Sequence, residues 1–519
     1  MKPDHLRETV ARCPGPASVT LGAAIFGLLV YRAASQSITY DEASTFLEFA
    51  RGPWSAVFTH YTANNHVLFT LLAKLATRVF GTTELTLRLP TLAGAALYLA
   101  SAAALCERLF PGRLMAVMAF AAMALNPFVL DFLVAARGYG LALGLMLVSL
   151  LAAMQATESR DPRSLGTWSA AVSVLLGLSV AANPCFAFAA AALGLGALAM
   201  FVGVRGTPGW RLAPWLLLPG SVVMVTLLAV PLSHARRDHF FYGAVSTPEM
   251  VRSLVTASLR YHAAHMPFAS SSGTPSLPGA ITDAVVMVAV LAAAGTFLWL
   301  LLRGVRASSG HSAPLSPLGI MASAATLLVP ALAGAAHFAF GIPYPLERTA
   351  IYLLPLFTLS VLAVASSHGA SAHPLLRRAA PLVLGVVVAD YALQLQWTEF
   401  RTWAFDASSR RLFRMAETMR PPGECPPILA SSWLYEPSLR FYAALEKDPC
   451  AFKVERADPE LSTYDLYVLS PDDVLAMPDE VRVVATDTIS GASVATREDA
   501  NVRRADDHGG VRRLLVAGP

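Results

Sequence analysis

Apolar runs of about 20 residues recur along most of this chain, and runs of that length constrain its folding more than any motif in it. Inside a bilayer every backbone N–H and C=O must be satisfied within its own segment, so such runs are read as transmembrane helices. Candidate spans fall at 17–34, 86–106, 113–131, 139–156, 166–183, 185–204, 212–232, 281–302, 317–337, 349–366 and 379–396. With 55% hydrophobic and 14% charged residues over 519 positions, and a mean hydropathy of +0.52, the chain is too apolar for a soluble protein of its length. The expected fold class is an all-α polytopic membrane protein with about eleven transmembrane helices.

The net charge is only +4 and the arginines are scattered between apolar runs, which excludes a nucleic-acid footprint. The first run follows Lys2, Arg7 and Arg12 and continues as SQSITYDEA without a small-x-small cleavage site, so it reads as a retained helix and not a signal peptide. A cytoplasmic N-terminus gives every inner segment at least two basic residues, from Arg108 and Arg113 through Arg160/Arg163, Arg205/Arg211 and Arg303/Arg306 to Arg377/Arg378. Outer segments also hold Arg51, Lys74, Arg78, Arg236, Arg237, Arg252 and Arg260, but are longer. The expected location is the inner (plasma) membrane, multi-pass, with an extracytoplasmic C-terminus.

From about residue 397 the pattern changes. After PPGECPP come short apolar runs, PILAS, DLYVLS, VRVVAT and RRLLVA, interleaved with the helix-like EPSLRFYAALEK. This predicts a small soluble α/β domain over 397–519 beside a membrane domain over 1–396. Cys13, Cys106 and Cys185 fall at or inside apolar segments and serve as small apolar residues, whereas Cys425 and Cys450 would bridge if the tail faces an oxidising compartment. The stretch SSSGTPSLPG at 270–279 reads as a flexible loop.

The first outer segment is too polar to span and too apolar to be free. If DEASTFLEFA is helical, Asp41, Thr45 and Glu48 share one face, and Phe46, Leu47 and Ala50 lie toward the other. HVLFTLLAKLATRVF repeats the division, with His66, Thr70, Lys74 and Thr77 opposite Leu68, Leu71, Leu72, Leu75 and Val79. Two amphipathic helices resting on the membrane surface would aim these polar groups into one cleft. Thr39-Tyr-Asp-Glu42 is equally a capping box, so Glu42 can hold the helix start while Asp41 does chemistry.

In order and spacing, TYDEAST, NNHVLFTLLAKLATRVFGTTELTLRLPTLAG and NPFVLDFLVAARGYGLAL resemble the GT-C membrane glycosyltransferases of the protein mannosyltransferase and aminoarabinose transferase (family 39-like) group. Phe80-Gly81 and Arg88-Leu89-Pro90 match the FG and the Arg-Leu-Pro that opens the second span, and the resemblance covers roughly residues 20–160. YPLERTAIYLLPLF (344–357) is similar to the Arg-containing outer end of a late helix in that family. Val67 stands where the family places proline, which sets His66 apart from the pattern. The resemblance implies a GT-C-like bundle with interfacial helices and an added soluble domain. It further implies transfer of a sugar from a polyprenyl-phosphate donor to a glycan, lipid or protein acceptor outside the membrane, with the first-loop acid as catalytic base.

Displacing a phosphate-linked sugar with a hydroxyl needs a carboxylate for the proton and cations for the departing phosphate. Asp41 is the candidate base, with Glu42 as its helper or as a metal or acceptor ligand. Arg137, Tyr139, Arg348, His66 and Lys74 are the candidate substrate-binding residues. Each cation has a plainer alternative: Arg137 snorkelling at the interface, Arg348 pairing with Glu347, His66 at the surface, Lys74 floating its ammonium to water. His262 and His265, at i and i+3, would allow a divalent metal ion, although two ligands alone are not a site. No glycine-rich loop opens a helix, which disfavours a nucleotide-sugar donor. The rival reading is a multi-span transporter or flippase of lipid-linked saccharides, which would keep ionisable groups near the bilayer midplane. A third is a noncatalytic membrane protein whose outer domain binds a partner. The spans here are nearly charge-free, with Asp131 and Asp283 at span ends and Asp390 in the outer half of its span.

Overall fold

The computed structural model describes residues 14–110, 112–205, 207–236, 242–259, 295, 316–367, 374–420, 425–457 and 464–497. The span expected at 281–302 (apart from Gly295), the His262/His265 pair, the loop at 270–279 and the run RRLLVA lie outside them. In chain order the helices of the apolar part are α1 (Pro16–Ser35), α2 (Tyr40–Thr45), α3 (Ala56–Thr59), α4 (Val67–Phe80), α5 (Glu84–Leu109), α6 (Arg113–Ala124), α7 (Pro127–Phe132) and α8 (Tyr139–Glu158). They continue with α9 (Pro162–Ala182), α10 (Ala187–Arg205), α11 (Ala213–Ser233), α12 (Thr247–Leu259), α13 (Pro317–Phe340), α14 (Leu353–Ser367) and α15 (Pro374–Leu393).

Among the described residues, seven helices are long and apolar enough to cross a membrane: α1, α5, α8, α9, α10 with the turn before it, α11 and α13. Shorter apolar helices lie at Arg113–Ala124, Leu353–Ser366 and Pro381–Leu393. The chain is a polytopic helical membrane protein, as its hydropathy predicts. One expected span is corrected: 113–131 is broken in two, because Pro127 supplies no N–H and bars helical backbone at Asn126, whose Oδ1 instead caps α7 by accepting from Val129 N at 3.1 Å. The bundle packs tightly where small residues meet. A Cβ at Gly144 would lie 2.3 Å from the Gly94 carbonyl, and one at Gly220 2.1 Å from that of Ser173, so α5 against α8 and α9 against α11 approach backbone to backbone.

The C-terminal part holds α16 (Ser409–Thr418), β1 (Ile428–Ser431), α17 (Glu436–Leu445), β2 (Lys453–Arg456), β3 (Leu466–Leu469), α18 (Pro471–Ala476), β4 (Val481–Thr486) and β5 (Ser493–Arg497). The strands form one sheet in the order β2-β1-β3-β5-β4. β1 runs parallel to β2 and β3, while β5 is antiparallel to β3 and β4. PILAS, DLYVLS and VRVVAT supply β1, β3 and β4, and EPSLRFYAALEK supplies α17. Cys425 and Cys450 are joined as a disulfide across 25 residues. A closed loop of that size restricts the unfolded chain enough to stabilise by about 3 kcal/mol. Replacing both cysteines by serine is therefore expected to lower the unfolding temperature of the sheet domain, and to abolish the effect of reductant on it.

The two helices of the first loop fit the membrane-surface expectation unequally. In α4 the exposed residues are apolar, Leu72, Leu75, Val79 and Phe80, apart from Arg78 in the last turn, while His66, Thr70, Lys74 and Thr77 point into the protein. That is the inverse of a water-facing helix and suits a lipid-facing one. The other helix does not rest on lipid. α2 and the π-helical turn that continues it, Phe46–Ala50, are covered by the sheet domain: Phe46 stacks edge-on against Phe441 at 5.2 Å and Ile38 N donates to Tyr442 Oη at 2.8 Å. Its apolar side pairs with protein because α17 offers aromatic rings to it.

Candidate active site

The local fold separates the two adjacent acids. Thr39 caps α2, its Oγ1 accepting from Glu42 N at 3.3 Å while Glu42 Oε2 accepts from Thr39 N at 2.9 Å. Glu42 also takes both prongs of Arg88, Nε at 2.8 Å and Nη2 at 2.7 Å, and the backbone N–H of Ala136 at 2.6 Å. Arg88 spends its remaining donors on the carbonyls of Ala33, Gln36 and Ser37, which close the end of α1 and the turn after it. Neither side chain is exposed. Glu42 is thus saturated as an anchor, and the catalytic or ligand role expected for it meets a carboxylate with no free face.

Anchoring Glu42 turns Asp41 the other way. Asp41 Oδ2 receives Arg348 Nη1 at 3.0 Å and Trp403 Nε1 at 3.2 Å, and Arg137 Nε stands 3.6 Å away. All three contacts converge on Oδ2, leaving Oδ1 outside them. Burial alone would raise the carboxyl pKa, but Arg137 and Arg348, with the Trp403 hydrogen bond, outweigh it and hold Asp41 below the ordinary carboxylate range. The Arg348 guanidinium lies over Tyr242 at 4.9 Å and Trp403 at 5.9 Å, and Glu347 accepts from Tyr242 Oη at 2.8 Å and does not pair with Arg348. Arg137 is steadied by Asn64, whose Oδ1 accepts from Nη1 at 2.6 Å. Its placement depends on Gly138 in the left-handed region (φ 73°), where a Cβ would meet the Ala182 carbonyl at 2.2 Å.

A cleft of about 310 Å³ opens over this carboxylate, with Tyr40, Asp41, Arg348, Thr402, Trp403 and Trp433 among its walls. It lies where the helical bundle meets the sheet domain. Asp406 ties the two parts together: Oδ2 accepts from Tyr40 N at 2.6 Å, and Oδ1 from Ser409 Oγ at 2.8 Å and Ser438 Oγ at 2.7 Å. Burial pushes the Asp406 carboxyl up to about 7 against the pull of those donors. Trp403, Asp406, Tyr40 and Trp433 were not among the expected site residues; Tyr40 stands beside Asp41 in TYDEAST, and the others lie in TWAFD and SSWLYE, beyond the last span.

Of the predicted residues, Asp41, Arg137 and Arg348 come together. His66 and Tyr139 sit behind them with ring centroids 5.7 Å apart. His66 is buried, and neither ring nitrogen has a hydrogen-bond partner among the described residues. Burial, reinforced by Arg137 and Arg348, pushes its pKa well down, so the ring is neutral. Lys74 is the correction: its buried ammonium donates to the carbonyls of Phe49 at 2.8 Å, Gly52 at 2.7 Å and Pro53 at 2.9 Å, closing the end of the π-helical turn away from the cleft. Among the described residues no group of three or more His, Cys, Asp and Glu side chains is arranged to hold a metal ion.

No family model matches this chain and no curated protein matches it by sequence. Among solved structures it is similar to ArnT from Cupriavidus metallidurans bound to undecaprenyl phosphate, at 15% identity over 92% of this chain and 97% of that one, TM-score 0.43. It is also similar to the oligosaccharyltransferase AglB from Archaeoglobus fulgidus in complex with an inhibitory peptide and a dolichol-phosphate, at 13% identity over 82% of this chain and 63% of that one, TM-score 0.42. A third similar structure is the Archaeoglobus fulgidus oligosaccharyltransferase with Zn and sulfate, at 13% identity over 82% and 61%, TM-score 0.40. Likeness at this level does not specify chemistry, which rests on the site itself.

Proposed function

We propose that this chain is an integral membrane glycosyltransferase that moves a sugar from a polyprenyl-phosphate donor to an acceptor hydroxyl, with inversion and with Asp41 as general base. One observation carries the reading: a single carboxylate and the Arg348 guanidinium line a cleft at the end of an apolar bundle, and a second guanidinium, that of Arg137, stands buried 3.6 Å from the same carboxylate oxygen. Arg348 and Arg137 would take the donor phosphate, with neutral His66 and Tyr139 lining the space behind. As the phosphate claims the guanidiniums, Asp41 loses its counter-charges and becomes more basic. The acceptor oxygen then attacks the anomeric carbon opposite the phosphate. Its proton passes to Asp41, the new carbon–oxygen bond forms, and the electron pair of the broken one leaves on the phosphate, whose charge the two arginines stabilise.

The sequence resemblance to GT-C enzymes supports a lipid-linked donor. The distribution of charge speaks against a transporter: in the buried pairs Arg32–Asp131 and Arg88–Glu42 the arginines lie in the last turn of α1 and the first turns of α5 and their partners in the short helices α7 and α2, at the cleft end and not at mid-span. The loop charges and the Cys425–Cys450 disulfide support an extracytoplasmic domain over 397–519 on a plasma-membrane bundle over 1–396, with the N-terminus cytoplasmic. The two guanidiniums supply positive charge at the phosphate whether or not a divalent ion joins them.

Mass spectrometry of lipids copurifying after gentle extraction tests the donor class; a preparation free of polyprenyl-phosphate species counts against it. Arg348→Met is expected to lower kcat/KM for donor turnover by ~10²-fold, as loss of one charge-stabilising donor does. Release of polyprenyl phosphate measures this, and an unaltered value would place the phosphate elsewhere.

A further inference from the structure

In open sheets with parallel strands, ligands sit beyond the carboxyl ends of the strands where the winding reverses, because the loops there diverge and leave a crevice. The sheet domain has such a point. The chain leaves β1 for β2 on one side and then crosses to β3 on the other, so the switch lies between β1 and β3. The loop leaving β1 begins with Ser432, whose Oγ accepts from Ser470 N beyond β3 at 2.9 Å, fixing the mouth of the crevice. The next residue is Trp433, half-exposed at 52%, and it forms a wall of the Asp41 cleft. Its ring meets Tyr40 edge-on at 6.2 Å, and Arg456, at the carboxyl end of β2, lies over it at 5.9 Å. The domain therefore turns its switch point, and a half-exposed indole, toward the candidate base.

We propose that this crevice is the acceptor subsite and that it takes a saccharide. The inference rests on the transferase reading above and names the acceptor class that reading leaves open. A flat indole face flanked by hydrogen-bonding groups suits a sugar ring, which presents C–H bonds on its faces and hydroxyls at its rim; Tyr40, Thr402 and Arg456 are placed for the rim. The alternatives fit less well. β1 is paired on both sides and offers no free backbone ladder to an extended peptide, and the walls mix aromatic faces with charged groups where an acyl chain would need an aliphatic groove. At about 310 Å³ the cleft is at the small end of ligand sites, enough to seat one terminal residue with the rest of a glycan outside.

The test is saturation-transfer NMR on the full chain in lipid nanodiscs, with maltotriose, chitotriose, mannotriose, a serine- and threonine-containing nonapeptide and dihexanoyl phosphatidylglycerol as probes. At least one trisaccharide is expected to bind, about tenfold more weakly to Trp433→Ala and near wild-type strength to Trp433→Phe, which keeps an aromatic face. Absence of trisaccharide binding, equal binding by Trp433→Ala, or Trp433-dependent binding of the peptide or phosphatidylglycerol alone would overturn the proposal. Donor turnover on the same preparation keeps the two readings apart. Wild-type protein that binds trisaccharide through Trp433 but consumes no donor overturns the transferase and leaves a saccharide site. Donor turnover without Trp433-dependent binding overturns the saccharide subsite alone.

Discussion

Asp41→Asn is expected to lower kcat for sugar transfer by about 10³-fold while the protein folds and holds donor as before, since a positioned general base contributes ~10²–10⁴-fold. The asparagine oxygen can still accept from Trp403 and Arg348, so the cleft keeps its shape. What goes is the negative charge, and with it the base. Donor KM should stay level or fall, because the phosphate no longer competes with a carboxylate for Arg137 and Arg348. The pH dependence has a definite sign. Asp41 titrates below its ordinary value in the folded protein, so it is ionised throughout the neutral range and the acid limb of kcat/KM lies below the usual carboxylate range. Donor binding removes its counter-charges, so the limb in kcat should lie at higher pH than the limb in kcat/KM. For stability the same shift means a contribution present above the unfolded pKa and lost as pH falls through the folded one. Transfer by Asp41→Asn within a factor of about ten of wild type would assign the base elsewhere.

The opposite orientation of Asp41 and Glu42 was legible because it is local. A capping box is written in four consecutive residues, and once Glu42 turns back to Thr39 the preceding acid must point away. Arg137 and Arg348 were legible through the resemblance and their positions at span ends. The partners that complete the site were not. Trp403 meets Asp41 across 362 residues and Asp406 meets Tyr40 across 366, and no periodicity carries contacts of that range. Amphipathicity failed in a related way: it reports that one face of a helix is apolar but not whether lipid or protein covers it. α4 turns its apolar face outward, whereas α2 lies beneath α17. Lys74 misled because a lysine on a polar face usually reaches water, and here three carbonyls at a helix end outbid it. The break at Asn126-Pro127 was written in the sequence, yet the hydropathy of 113–131 hid it.

Arg88→Met is expected to cost 3–5 kcal/mol of stability at roughly the scale seen when one partner of a buried ion pair is removed. The cause is what remains. Glu42 would stay buried with its charge uncompensated, holding only the N–H groups of Thr39 and Ala136, and the carbonyls of Ala33, Gln36 and Ser37 would lose their donor. Glu42→Ala should be as damaging, since it strands the guanidinium and also removes the Glu42 half of the capping box that starts α2. The double variant Glu42→Gln with Arg88→Met, which buries no charge, should recover part of the loss. A thermodynamic cycle over these variants, read from unfolding midpoints in detergent, gives the coupling directly. The same series decides what Glu42 does for catalysis. If it only anchors, turnover per folded molecule in Glu42→Gln stays within a few-fold of wild type while the midpoint drops, unlike Asp41→Asn, where turnover per folded molecule collapses. A Glu42→Gln protein with an unmoved midpoint and collapsed turnover would transfer the catalytic role to Glu42. Additive single-variant losses would mean that the pair, despite its geometry, does not hold the end of α1 to the start of α5.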